Sequence, residues 1–158
     1  MKTRPPMKPF PWKCGHCRQK AVNPASVPYE VEAEHDGRSY RVVLSDLLTP
    51  KCDNCGELLL TATANEQITD ALREQVGLLT PSRIRAGREE LGLTQEQFAE
   101  KLRIASATVS RWETGAQVQQ RSLDLLMRLY FGLIEVRSAL AEEKTARNLG
   151  AGRVSVPA

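Results

Sequence analysis

The sequence predicts an α+β protein of two domains, a small β-rich one followed by an all-α one. Three observations carry this. All four cysteines fall within the first 55 of 158 residues, in two pairs. Between the pairs, apolar and charged residues alternate with the period of a strand. Beyond residue 64 the apolar spacing changes to three and four, the period of a helix, and stays there.

A chain of 158 residues holds one ordinary domain or two small ones. The composition, 41% hydrophobic and 26% charged, is that of a soluble globular protein. No apolar run approaches the ~18 residues of a membrane span, so no membrane partner is expected. The first thirteen residues, MKTRPPMKPFPWK, carry four positive charges and four prolines without an apolar core. They do not read as a secretory signal, and the expected compartment is cytoplasmic. Disulfides are rare there, so paired cysteines need another explanation. Residues 1–80 hold 10 basic and 10 acidic side chains; residues 81–158 hold 12 and 9, the whole net charge of +3. That excess is a weak footprint for nucleic acid on its own.

Taken in order, residues 1–12 read as a flexible, Pro-rich basic tail. A domain at 13–63 follows. In it Tyr29, Val31 and Ala33 alternate with Glu30, Glu32 and Glu34. Asp36-Gly37 is a hairpin-turn signal, and Tyr40, Val42 and Leu44 form the return strand. Leu58-Leu59-Leu60 reads as a further short strand. Ile68, Leu72, Val76 and Leu79 place a linker helix within 64–80. Thr80-Pro81 restarts the chain with an N-cap and a proline at the first helical position. Helices then fill a domain at 81–145, with a break expected at Gly132, and 146–158 reads as a second flexible tail.

The cysteines follow the pattern C-x2-C, 34 residues, C-x2-C, at Cys14, Cys17, Cys52 and Cys55. Two intervening residues let both thiolates of a pair reach one ion, and two such turns complete a tetrahedral sulfur site. The hairpin fills the long gap and returns the chain to its start. Gly15 and Gly56 stand where such turns favour positive φ or close approach of backbone to sulfur. The expected cofactor is one structural Zn2+ held by four thiolates, with no open position to activate water. The rival reading is redox chemistry, because Cys14-Gly15-His16-Cys17 is also the tetrapeptide of protein disulfide isomerases. That motif needs a long helix after it, which Pro24 and Pro28 forbid. No acid/base pair supports catalysis, so no enzyme activity is expected.

Residues 81–115 parse as three helices. The first runs from Pro81 to Leu91 and stops at Gly92. The second opens on the capping box Thr94-x-x-Gln97, and the third is expected to be capped by Ser106 and closed by Gly115. Ile84, Leu91, Phe98, Leu102, Val109 and Trp112 are core. What remains on the third helix is Ser106, Ala107, Thr108, Ser110 and Arg111, short or basic side chains near its N-terminal end. In a helix-turn-helix that end enters the major groove. Arg111 can reach a guanine edge or a phosphate, and Thr94 and Gln95 can bond phosphate oxygens.

The stretch LTQEQFAEKLRIASATVSRWETG closely resembles the lambda-repressor-like (Xre) helix-turn-helix at Leu93-Thr94-Gln95, Ala99, Leu102, Val109 to Glu113 and Gly115. A C-x2-C…C-x2-C domain, a linker helix, then L-T-P-x-x-I-R-x-x-R and an Xre domain resembles the MqsA-type antitoxins, whose first part is a YgiT-type zinc finger. The resemblance implies a bacterial zinc protein that binds operator DNA as a homodimer, neutralises a partner toxin through its N-terminal domain and represses its own operon. It departs at two points: the chain is longer, with extra segments at both ends, and the DNA-reading pair is incomplete. The family reads DNA with an Asn and an Arg four residues apart; Arg111 matches, but Ala107 stands in the Asn position. Adenine readout there is lost, and the operator is expected to differ. The alternative is a stand-alone Xre-type regulator whose zinc domain binds a ligand or another protein.

From Arg121 to Glu143 the chain is strongly amphipathic. The apolar excess from Phe131 onward suggests a two-fold interface, with Tyr130, Phe131 and Ile134 the residues expected in it.

Overall fold

The computed structural model describes residues 8–149 and divides the chain into two compact units, with the boundary between Val76 and Gly77. The first unit is a three-stranded antiparallel sheet, β1 Trp12–Lys13, β2 Lys20–His35 and β3 Arg38–Cys52, followed by helix α1, Ala62–Val76. The second holds five helices among the described residues: α2 Pro81–Glu90, α3 Gln95–Leu102, α4 Ser106–Glu113, α5 Arg121–Gly132 and α6 Ile134–Leu149. The α+β, two-domain layout is the one expected.

The hairpin is twice as long as its alternation announces. Asp36 and Gly37 both take positive φ, 50° and 69°, as a two-residue turn between twisted strands requires. From there β2 and β3 pair from His35↔Arg38 back to Val22↔Cys52. Tyr29, Val31 and Ala33 are half-buried while Glu30, Glu32 and Glu34 are exposed, as expected. Beyond Leu44 the phase slips. Val27 faces Leu47 but Tyr29 faces Leu44, so two residues of β3, Ser45 and Asp46, stand opposite Pro28 alone. This is a β-bulge, and a proline in a strand is tolerated at such a place. It moves the inward positions from Tyr40, Val42 and Leu44 to Leu47 and Thr49. An alternation read along the sequence therefore ends at Leu44 while the strand continues.

Three expectations for this unit are corrected. The helix expected to link the halves lies against β3 as part of the first unit; it starts at Ala62 and stops before Gly77, whose φ of +74° a helix cannot continue. Leu58 makes only an isolated bridge to Lys51, and Leu58 to Leu60 form no strand. Trp12 pairs with Val22 in β1 and stacks on Phe10 at 4.3 Å, so residues 8–12 are not a tail. The remainder of that tail, residues 1–7, lies outside the described residues, as do residues 150–158 of the C-terminal one. Residues 146–149 continue α6.

The second unit is built around Leu79, Ile84, Phe98, Ala99, Leu102, Val109, Trp112, Met127 and Tyr130. The expected core residues are all in it, with Leu91 at its edge. A buried polar knot secures its entrance. Asp124 accepts hydrogen bonds from the Leu79 amide (2.7 Å) and Gln119 Nε2 (3.0 Å), and Gln119 also donates to the Leu79 carbonyl. Arg128 completes it, donating to Asp124 and to the Gly77 carbonyl. The break between α5 and α6 is made by Leu133, whose extended backbone (φ −122°, ψ 119°) caps α5, rather than by Gly132.

Gly87 on α2 has a packing role. The Phe131 ring lies across it and stacks on Phe98 at 5.3 Å; a Cβ on Gly87 would meet three ring atoms at 2.7–2.9 Å. Gly87→Ala should therefore destabilise the second unit by ~1–3 kcal/mol through overpacking, despite the gain in helix propensity. Urea unfolding followed by helical circular dichroism checks this, and unchanged or raised stability would show that the ring moves freely.

Candidate metal centre and nucleic-acid interface

The two cysteine pairs sit on turns of the same construction. In the first, the Cys14 amide donates to the Gln19 carbonyl (2.8 Å) and the Arg18 amide to the Cys14 carbonyl (3.1 Å). In the second, the Cys52 amide donates to the Glu57 carbonyl (2.9 Å) and the Gly56 amide to the Cys52 carbonyl (2.8 Å). The residue after the second cysteine has positive φ in both, 62° at Arg18 and 79° at Gly56. The conformational demand thus falls on Arg18 and Gly56; Gly15, expected to share it, does not have positive φ. The second turn is tied to the start of β2, the strand that leaves the first. The Asp53 amide donates to the Ala21 carbonyl, and Asn23 Nδ2 to the Asp53 carboxylate.

This construction brings all four Sγ atoms within 4.8 Å of one another. Cys14 lies 3.7 Å from Cys55, and Cys17 lies 3.6 Å from Cys52. A disulfide would need ~2.05 Å. A tetrahedron with metal–sulfur bonds of ~2.3 Å has edges of ~3.8 Å, so the sulfurs fit a four-coordinate ion. Cys14 and Cys52 are buried and pack with Val22; Cys55 is exposed. A backbone hydrogen bond from Gln19 is the largest of the effects that hold the Cys17 thiol down at about 6. Four sulfurs this close cannot all be thiolates without a cation among them, because like charges disfavour each other's ionisation. His16, inside the first turn, is exposed and outside the cluster.

In the second unit α3 and α4 form the helix pair expected from residues 94–113. Thr94 caps α3 with both bonds of the capping box, its hydroxyl accepting from the Gln97 amide (3.1 Å) while Gln97 accepts from the Thr94 amide (2.9 Å). Arg103, at φ +57°, ends α3 and turns the chain. Ala105, not Ser106, is the N-cap of α4, and no side chain caps it. Ser106 is its first helical residue. Along α4, Ser106, Ala107 and Arg111 are exposed, Thr108 and Ser110 half-buried, and Val109 and Trp112 buried in the core.

What fixes α4 is a residue sequence reasoning did not single out. The Glu113 side chain is fully buried at the C-terminal end of the helix. Arg88 grips it with two bonds, Nε to Oε1 at 2.6 Å and Nη2 to Oε2 at 3.0 Å. Gln95 Nε2 donates to Oε2 at 2.8 Å, and Arg85 Nε lies 3.6 Å away. The Arg88 Nη1 atom donates to the Leu93 carbonyl at 2.7 Å. Burial pushes the Glu113 carboxyl up, but the hydrogen bonds from Arg88 and Gln95 outweigh it and hold the group below the usual carboxylate range. The signal in the sequence is the trio Arg85, Arg88 and Glu113, two bases and one acid with nothing local to pair them. Gln95, expected to bond a phosphate, is half-buried and bound to Glu113 by its amide nitrogen.

The expected dimer residues are placed differently. Tyr130 is buried at 3% exposure in the unit's own core, and Phe131 is covered by Gly87 and Phe98. Only Ile134 is open, at 63%. The exposed apolar side chains in this region are Leu125, Leu129, Leu133 and Ile134. A run of Leu and Phe at helical spacing does not tell which face turns inward.

Residues 84–131 match a family model described as helix-turn-helix, so the second unit contains a domain of that kind. No curated protein matches the chain. Among solved structures, a protein of Nitrosomonas europaea named as a candidate DNA-binding protein is similar over 87% of this chain and 95% of its own. Its identity is 13% and its TM-score 0.32, a likeness too loose to carry an argument. No helix among the described residues is long and apolar enough to cross a membrane.

Breaking a buried ion pair from one side leaves the other charge stranded, at a cost of ~3–5 kcal/mol. Arg88→Ala should destabilise the second unit by about that much. The contribution of Glu113 carries a sign in pH. Its folded pKa is depressed, so its stabilisation is complete above the unfolded carboxylate value of ~4.3 and is lost as pH falls through the lower folded value. Acid titration of stability should therefore show a steeper loss below pH ~4 in the parent than in Glu113→Gln. Equal slopes would mean the carboxylate is not held as described.

Proposed function

We propose that this chain is a zinc-dependent, sequence-specific transcriptional repressor that binds double-stranded operator DNA as a homodimer. The observation that carries this is the α3–α4 pair, with α4 locked by Glu113 and showing outward only Ser106, Ala107 and Arg111 as its fully exposed candidate contacts. Small side chains at the N-terminal end let a helix sit deep in the major groove. Arg111 follows one turn later, where a guanidinium can bond guanine O6 and N7 together. Ala107 offers a methyl group suited to thymine in place of an amide that reads adenine. Thr94 stands at the start of α3 for phosphate contact, with Thr108 and Ser110 at the flank of the reading helix.

Zinc is the ion best suited to a closed tetrahedron of four thiolates in a site of this construction. Cys14, Cys17, Cys52 and Cys55 would hold it, and when bound it supplies a cross-link between the two turns. A site with four protein ligands has no position for water, which favours a regulator over an enzyme. The homodimer rests on the exposed run Leu125, Leu129, Leu133 and Ile134. A two-fold axis there would present two copies of α4 to half-sites ~34–36 Å apart.

The biological role we infer is that of the antitoxin in a type II toxin–antitoxin pair, with the toxin bound through the N-terminal unit and the operon repressed by the C-terminal one. The order of the two modules supports this. An apolar cleft in the first unit favours a second reading, a stand-alone regulator whose zinc domain takes a ligand.

Affinity purification from the native host separates the two. A stoichiometric small partner encoded by the adjacent gene is the antitoxin outcome; a zinc-loaded protein that emerges alone contradicts it. Cys14→Ser should release the metal and unfold the first unit, because so small a unit depends on its metal. Metal content and strand circular dichroism report this together, and retention of both would remove the four-cysteine site. Arg111→Ala should weaken operator binding by ~1–3 kcal/mol while leaving random duplex binding nearly unchanged. An equal loss on both would make Arg111 a phosphate contact.

A further inference from the structure

The first unit contains a cleft of about 690 Å³. One wall is the stacked pair Phe10 and Trp12, ring centroids 4.3 Å apart and 16° from parallel. The floor is the hairpin around Pro24 and Pro50, which face each other in register, with Leu48 beside them. The start of α1, Thr61 to Thr63, closes the far side. Leu48 is 55% exposed there.

We propose that this cleft is a binding site for a neutral, flat, apolar small molecule. The volume lies in the range of small-molecule sites. No lining side chain is charged, so an ionised ligand would lose its hydration without compensation. The stacked Phe10–Trp12 pair offers a flat surface suited to a planar ring system. Two polar groups of the lining are already spent inside the protein. The Leu48 amide donates to Gln67 Oε1 (2.9 Å), and the Thr49 hydroxyl donates to the Leu59 carbonyl (2.6 Å). The other hydroxyls of the lining are those of Ser26, Thr61 and Thr63, too few to satisfy the backbone of a buried peptide but enough for a molecule with few hydrogen-bonding groups. The site is also wired to the cysteines. Trp12 stands two residues before Cys14 and Pro50 two before Cys52, each on the strand that leads into a metal-binding turn. A ligand here would brace the centre from outside its coordination shell.

The proposal gives a chemistry to the ligand of the stand-alone reading, but its test concerns the cleft alone and holds whether or not the chain binds DNA. The probe is N-phenyl-1-naphthylamine, a neutral aromatic dye that brightens in apolar sites, titrated into the full-length metal-loaded protein. The expected result is saturable binding of one dye per chain with quenching of tryptophan fluorescence from Trp12. Leu48→Glu, a largely exposed position, should weaken binding at least tenfold with metal content unchanged. Val43→Ser, an exposed apolar position on β3 outside the cleft lining, should leave it unaltered. Non-saturable binding, or equal affinity in Leu48→Glu, would overturn the proposal. So would an affinity raised more than tenfold by removing residues 1–7, which would assign the cleft to the chain's own beginning.

Discussion

The second unit depends on one carboxylate. Glu113 ends the helix proposed to read DNA, and the groups that hold it come from two other helices, Arg88 and Arg85 on α2 and Gln95 on α3. A charge that deep is tolerable only because it is matched: Arg88 meets both oxygens and Gln95 adds a third bond. Apolar packing of Val109 and Trp112 decides that α4 docks, but packing alone is permissive about rotation and sliding. The directional bonds to Glu113 remove that freedom. The exposed face of Ser106, Ala107 and Arg111 is thereby presented at a fixed angle, which a reading helix needs.

The first unit solves a different problem. Around its cysteines the buried cluster is only Cys14, Val22 and Cys52, with Trp12, Cys17, Ala21 and Leu59 at its edge. So few side chains bury little surface at this end of the sheet, and the unit's other buried apolar residues, Val42, Leu47, Ala64 and Leu72, lie on β3 and α1. The two turns, matched bond for bond, bring four sulfurs to the spacing of a tetrahedral ion, whose coordination would brace this thinly packed end. β2 and β3 carry this region outward, and α1 covers β3 beyond it.

Much of this was legible in the residues. The convergence of the four cysteines follows from spacing, because two intervening residues admit few ways for two sulfurs to converge. The capping box at Thr94 and Gln97 and the turn at Asp36-Gly37 are local chemistry, readable without the rest of the chain. The hidden parts are those where a distant partner decides. The bulge opposite Pro28 reverses the alternation after Leu44, so half of the hairpin gave no periodic signal. Arg18 adopts the backbone of a glycine because the first cysteine turn demands it. Tyr130 and Phe131 look like surplus apolar surface until Gly87 and Phe98 are seen to cover Phe131 and the core to enclose Tyr130. Glu113 and Arg88 are 25 residues apart, and nothing local links them.

Selection of binding sites from a random duplex pool, with the metal-loaded protein at physiological salt, asks whether a locked α4 reads sequence as part of a two-fold dimer. The expected result is enrichment of an inverted repeat whose half-sites are centred one helical turn, ~10 base pairs, apart, with guanine at a fixed position in each half. A pool that remains random after repeated rounds, while still binding in proportion to its phosphates, would contradict it and leave only an electrostatic affinity for nucleic acid.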